Sequence, residues 1–144
     1  MLTVADLMTS DVHTLLEEDT LQTARGLMTS RRIRHIPIVN AEGEFLGLLT
    51  HRDLLSATIS QLAEIDPETQ DEIDAGIPIR EIMRTDVKHT APDIPLRTAA
   101  ETLLHHKYGC LPVVRDAKLV GILTESDFLK LTISLMDSLD QVEL

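Results

Sequence analysis

The sequence predicts an α/β (α+β) protein made of two β-α-β-β-α repeats, and three observations carry that expectation. The stretch Gly47-Leu48-Leu49-Thr50-His51-Arg52-Asp53 returns as Gly121-Ile122-Leu123-Thr124-Glu125-Ser126-Asp127. It belongs to a longer duplication, in which Val4-Ala5-Asp6-Leu7-Met8 matches Ile79-Arg80-Glu81-Ile82-Met83 and His35-Ile36-Pro37-Ile38-Val39 matches Cys110-Leu111-Pro112-Val113-Val114. Each copy also alternates short apolar runs with one stretch of helical period, the pattern of a small mixed unit repeated.

Taken in order, each repeat opens on a short helical turn, Val4–Met8 or Ile79–Met83. Residues 12–16 read as a short strand or extended segment. Thr20 is an N-cap candidate for a helix whose Leu21, Ala24, Leu27 and Met28 share one face. Ile36 to Val39 is a short apolar strand with a proline suited to its start or edge. Glu42-Gly43 turns the chain, and Phe45 to Thr50 returns as a second strand. From Asp53, Leu54, Leu55, Thr58, Ile59 and Leu62 make an apolar stripe. The second repeat predicts a helix at 96–106, strands at 111–114 and 119–124, and a last helix from Ser126 with the stripe Phe128, Leu131, Leu135, Met136 and Leu139. Neither repeat is large enough for a comfortable core alone, so two packed together are expected. The boundaries are residues 1–62 for the first repeat, 63–76 for an acidic linker and 77–144 for the second.

Charge patterning separates the linker from the rest. The chain carries 24 acidic and 13 basic side chains for a net charge of −11. Six carboxylates (Glu64, Asp66, Glu68, Asp71, Glu72, Asp74) fall between Ala63 and Ile77 without a Lys or Arg among them, which reads as a solvated connector with a helical part at 71–74. The acidic balance argues against nucleic acid and anionic membrane as partners. No apolar run reaches the roughly 18 residues that span a bilayer. One cysteine, Cys110, fits a reducing, cytoplasmic setting.

The duplicated ending carries the chemistry. Thr-x-x-Asp after a strand places a hydroxyl and a carboxylate where a starting helix has unpaired N–H groups. The same spacing is close to a capping box, which needs no ligand. The geometry also suits a sugar hydroxyl and an anion, because a helix N-terminus offers free donors and a favourable dipole. No nucleophile elbow, Walker loop or Rossmann glycine pattern is present, and the six histidines are scattered. Cys110 at the start of a core strand reads as a small buried hydrophobe. The expectation is a protein without catalytic activity.

With these residues in hand, the chain resembles a tandem pair of CBS (cystathionine β-synthase) domains, a Bateman module, over residues 2–60 and 77–134. The resemblance rests on residues 4–10, on His35-Ile36-Pro37-Ile38-Val39 and above all on the two Thr-x-x-Asp endings. It implies packing about a pseudo-two-fold axis with two clefts that bind adenosine-containing ligands such as AMP, ADP, ATP or S-adenosylmethionine, with no required cofactor. Carried over, the ribose positions are Asp53 and Asp127 with Thr50 and Thr124 beside them. Adenine contacts fall to Ile33, Arg34, His35 and Ile36 in one repeat and to Tyr108, Gly109, Cys110 and Leu111 in the other. Thr14, and His89 at its repeat position, join the set, Thr14 and Ile33 serving the ligand of Thr124 and Asp127. Arg52 is a phosphate candidate, replaced by Ser126 in the second copy, so a phosphate-bearing nucleotide is expected to fill the Asp53 site first. The apolar stripes after Asp53 and Asp127 suggest a homodimer, and a separate regulated protein is implied. The alternatives are a structural or interaction module with empty clefts, an S-adenosylmethionine sensor, or a metal sensor using His35, His51 and His89.

Overall fold

Two short leading segments are exchanged between the repeats. In the computed structural model, which describes residues 1–57, 66–106 and 109–142, Met1–Val12 pack with Lys88–Leu144 into one compact unit, and His13–Val87 form the other. The opening segment of each repeat thus lies on the strands of its counterpart. Thr58, Ile59 and Leu62 of the first stripe, Glu64 of the linker, and Tyr108 lie outside the described residues.

The unit His13–Val87 holds a three-stranded sheet, β1 (Leu15–Leu16), β2 (His35–Val39) and β3 (Phe45–Thr50), in the order β1-β2-β3. Helix α2 (Leu21–Arg31), counted after the opening turn α1 (Val4–Leu7), starts at Thr20, whose hydroxyl accepts from the Thr23 N–H at 3.4 Å. Leu21, Ala24 and Met28 form its buried face, and α2 ends at Arg32 in the left-handed conformation. They pack with Ile36, Ile38, Leu49, Leu54 and Ile79 into the core. Helix α3 (His51–Ala57) leaves β3 directly. The strand expected at residues 12–16 is reduced to Leu15–Leu16, which pair in parallel with Ile38 and Val39. Pro37 stands just before that pairing, where its missing N–H breaks no bond.

The acidic linker is not simply a solvated connector, a correction to the sequence expectation. Helix α4 (Pro67–Ala75) starts at Asp66, which caps the Thr69 N–H at 2.8 Å, a bond that also lowers the Asp66 pKa. Asp74, only 1% exposed, takes the Arg25 Nε at 2.6 Å and Gln70 Nε2 at 2.8 Å. Gln22 Nε2 donates to Asp71 at 2.7 Å. Two carboxylates one helical turn apart therefore fasten α4 along α2, while Glu68 and Glu72 face solvent.

The other unit repeats the plan with a smaller sheet. Strands β4 (Cys110–Arg115) and β5 (Lys118–Thr124) pair antiparallel, and Thr90 adds a single parallel bridge to Val113. The first strand cannot lengthen here because Pro92 lacks a donor and restrains Ala91 before it. Helix α5 (Leu96–His105) buries Leu96, Ala99 and Leu103 against Val4, Leu111, Val113 and Leu123. Helix α6 (Glu125–Gln141) is long, with Phe128 and Leu131 toward the core and Leu135, Met136 and Leu139 exposed.

The exchange explains the glycine that opens each Thr-x-x-Asp stretch. Leu48 and Arg84 trade both backbone hydrogen bonds at 2.9 Å, as do Thr9 and Ile122. A Cβ on Gly47 would stand 2.5 Å from the Arg84 carbonyl oxygen, and one on Gly121 would stand 2.7 Å from Met8 Sδ and 3.0 Å from the Thr9 carbonyl oxygen. By contrast, a Cβ on Gly26, in α2, would meet nothing within 4 Å. Gly47→Ala is therefore expected to destabilise by about 1–3 kcal/mol through overpacking, and Gly26→Ala to be neutral or stabilising by up to about 1 kcal/mol. Urea unfolding of the two variants checks the contrast. Equal midpoints would show that the exchanged segment yields freely at Gly47.

Candidate functional site

Each unit carries one strand–helix corner built from the Thr-x-x-Asp ending. At the first, the Asp53 N–H donates to Thr50 Oγ1 at 3.1 Å and the Thr50 N–H donates to Asp53 Oδ2 at 3.0 Å. At the second, Asp127 N–H to Thr124 Oγ1 is 3.3 Å and Thr124 N–H to Asp127 Oδ2 is 2.9 Å. Both are reciprocal capping boxes, so the carboxylates are oriented by the chain itself before anything else meets them. Asp53 and Asp127 are buried, each 7% exposed.

The second carboxylate oxygen is where the corners part. Asp53 Oδ1 accepts from Arg84 Nε at 3.0 Å, whereas Asp127 Oδ1 accepts from the Thr9 hydroxyl at 3.3 Å. Arg84 and Thr9 follow Met83 and Met8 at equivalent repeat positions. Sequence reasoning missed both residues. The signal was present in the alignment of Met8-Thr9 with Met83-Arg84, but its meaning depends on the exchange.

The strand pairing assembles the expected base-side positions around these corners. His35 pairs with Thr50, and the His51 N–H donates to the Arg34 carbonyl at 2.8 Å. Cys110 pairs with Thr124, and the Glu125 N–H donates to the Gly109 carbonyl at 3.2 Å, with Gly109 at φ 75°. Ile33 follows the left-handed Arg32 and donates its N–H to Met28 at 3.2 Å. Side chains differ in what they offer. Arg34 and Arg52 are exposed and His35 is half-buried, but Ile36, Cys110 and Leu111 are in the cores, leaving their backbone as their polar contribution. Thr14 and His89 sit one residue before Leu15 and Thr90, whose partners Ile38 and Val113 lie three residues into the strands from the corners.

Charge follows the same division. Arg84 pairs with Asp53, and the exposed Arg34 and Arg52 lie on the two chain segments joined by the His51–Arg34 backbone bond; Glu125 opens the helix at the Asp127 corner, and its charge also reaches Cys110. Burial first, and Glu125 second, push the Cys110 thiol up to about 12. It stays protonated at neutral pH and is no nucleophile. Among the described residues, no three His, Cys, Asp or Glu side chains are grouped to hold a metal ion, and no helix is long and apolar enough to cross a membrane.

The two corners and their spacing place the chain among known proteins. The CBS domain family matches residues 4–60 and 79–134, and the chain belongs to that family as a pair of CBS domains. A Vibrio cholerae protein assigned to acetoin utilization (AcuB) has a crystal structure 40% identical in sequence, with a TM-score of 0.81 over 100% of this chain and 99% of that one. The CBS domain pair of MJ0100, crystallised in complex with 5′-methylthioadenosine and S-adenosyl-L-methionine, is 25% identical with a TM-score of 0.75 over 93% of this chain and 98% of that one. The Bacillus subtilis CBS domain-containing protein YhcV is 32% identical over 88% of this chain and 83% of its own length. The chain spans only 42%, 23% and 24% of the length of other curated relatives, homoserine O-acetyltransferases among them.

The buried thiol sets a measurable pH dependence. Because the folded pKa of Cys110 lies above its ordinary 9.0, the folded state holds the proton more tightly. Its contribution is complete below pH 9.0 and is lost as pH climbs toward about 12. Cys110→Ala should flatten that decline, and iodoacetamide at pH 8 should label the native protein far more slowly than the unfolded chain. Equal labelling rates would place the thiol at the surface.

Proposed function

We propose that the chain is a non-catalytic regulatory module, acting in the cytoplasm, that binds adenosine-containing ligands at the Asp53 and Asp127 corners. The observation that supports this reading is the pairing, twice, of an oriented buried carboxylate with the start of a strand that presents backbone polar groups. A ribose cis-diol donates to the carboxylate, the Thr50 or Thr124 hydroxyl lies beside it, and adenine rests against residues 33–36 or 108–111. The MJ0100 pair, bound to two adenosine derivatives, supports the same ligand class. Ligand binding favours one arrangement of the protein, and a separate partner reads it through that linkage.

Ligand addition tests the reading. AMP, ATP, 5′-methylthioadenosine or S-adenosylmethionine at saturating concentration is expected to raise the melting temperature. Asp53→Asn and Asp127→Asn each remove charge-assisted hydrogen bonds worth about 1.5–3 kcal/mol apiece, at least a tenfold loss of affinity at the mutated corner. If no adenosine derivative shifts the melting temperature, the module works by protein contact alone, since both carboxylates are already satisfied by their own chain.

Assembly as a homodimer is the second part of the proposal. Leu129, Ile133, Leu135, Met136 and Leu139 all stand exposed on α6, and Leu55 on α3. Apolar residues in such number on one helix suit a two-fold contact between copies. Light scattering at micromolar concentration should give twice the chain mass, and Leu135→Glu should shift it toward the monomer. A monomeric unmutated protein would refute the assembly.

A further inference from the structure

Arg84 occupies a position from which it can decide what the Asp53 corner accepts. Its backbone is held by the two 2.9 Å bonds to Leu48, and the missing Cβ of Gly47 lets it lie close against β3. The guanidinium is thereby delivered to the carboxylate, with Nε 3.0 Å from Asp53 Oδ1. The Asp53 side chain is 8% exposed and that of Arg84 is 43% exposed. The anion is sunk and the cation lies at the rim.

The second unit supplies an internal control. Thr9 reaches the same oxygen of Asp127 from the same repeat position, with a neutral hydroxyl at 3.3 Å. The capping box, the glycine and the paired backbone bonds are common to both corners. The arginine is what changes at the carboxylate.

We propose that Arg84 is a specificity-determining residue that reserves the Asp53 corner for phosphate-bearing adenosine ligands, while Thr9 leaves the Asp127 corner open to adenosine ligands without phosphate. This inference rests on the function proposed above. A ribose hydroxyl that donates to Asp53 Oδ1 competes with Arg84 Nε for it. A displaced guanidinium loses a charged partner at a half-desolvated rim, and a neutral nucleoside offers no anion to replace it. A phosphate does, because the planar guanidinium matches phosphate oxygens in a two-pronged contact. At Asp127 the displaced group is a hydroxyl, which turns to water at little cost. There Glu125 and Asp127 together disfavour a phosphate.

The test uses AMP and adenosine with the full chain, reading each corner alone by calorimetry. Asp127→Asn silences one corner and Asp53→Asn the other. With Asp127→Asn, AMP is expected to bind at least about tenfold more tightly than adenosine, a difference of about 1.4 kcal/mol. Adding Arg84→Thr, which copies Thr9, should lower the ratio several-fold by weakening AMP and strengthening adenosine. Adding Thr9→Arg to Asp53→Asn should create an AMP preference at the Asp127 corner. Arg84→Lys should keep part of the preference, because it retains the charge and loses the fork. An unchanged AMP-to-adenosine ratio in Arg84→Thr, or equal loss of both ligands, overturns this inference and leaves the function standing. Failure of the unmutated chain to bind either ligand overturns the function and the inference together. Melting curves of each variant without ligand distinguish a lost fold from a changed preference.

Discussion

The reciprocal backbone bonding of Leu48 with Arg84, and of Thr9 with Ile122, is the contact on which the rest of the structure depends. Each pair satisfies two donors and two acceptors along the side of a buried strand, where unpaired groups would carry a desolvation cost of about 1–3 kcal/mol apiece. Gly47 has no space for a side chain against the Arg84 carbonyl, and a Cβ on Gly121 would press on Met8 and the Thr9 carbonyl. Each pair also brings a foreign side chain to the carboxylate at the strand's end. Stability and the chemistry of the corners are thus set by one arrangement. Neither repeat completes its corner from its own consecutive residues.

That arrangement reconciles two readings of Thr-x-x-Asp that look exclusive. As a capping box, the motif satisfies helix N–H groups and needs nothing more. As a binding corner, it needs a carboxylate held in a known direction with acceptor capacity left. The cap uses Oδ2, and Oδ1 meets the exchanged segment. An ionised carboxylate has about four lone-pair sites, so capping fixes its orientation without exhausting it. A pre-oriented acceptor loses little freedom when a ligand arrives, which is the physical content of preorganisation.

The linker acts in the same unit as Arg84. Helix α4 is fastened to α2 through Asp71 and Asp74, and the chain then runs through Pro78 and Ile79 into the segment that meets β3. Backbone bonds from Ile79 to Asp19 at 2.8 Å and from Leu21 to Ile77 at 3.0 Å continue the attachment. Arg84 therefore ends a docked segment, and its side chain meets Asp53 from a fixed direction. The negative charge that stands out in the composition is partly internal: Asp74 neutralises Arg25 below the surface.

By itself the sequence determined the duplication, the order of helices and strands within the repeats, the Thr20 cap, the buried face of α2, and the two Thr-x-x-Asp corners. These are short-range properties, in which one residue constrains another a few positions away through helical or strand period. Only the tertiary structure decided which leading segment lies on which strand. The two segments resemble each other, as do the two strands, so local pattern is equally satisfied by pairing within a repeat or across repeats. The roles of Gly47 and Gly121, the placement of Arg84 on Asp53 and of Thr9 on Asp127 follow from that choice. The burial of Asp74 was hidden for a related reason. In the sequence it is one carboxylate in an acidic run, and its partner Arg25 lies 49 residues away on another helix. The energy of such a pair depends on distance and on exclusion of water, and both arise only when the helices pack.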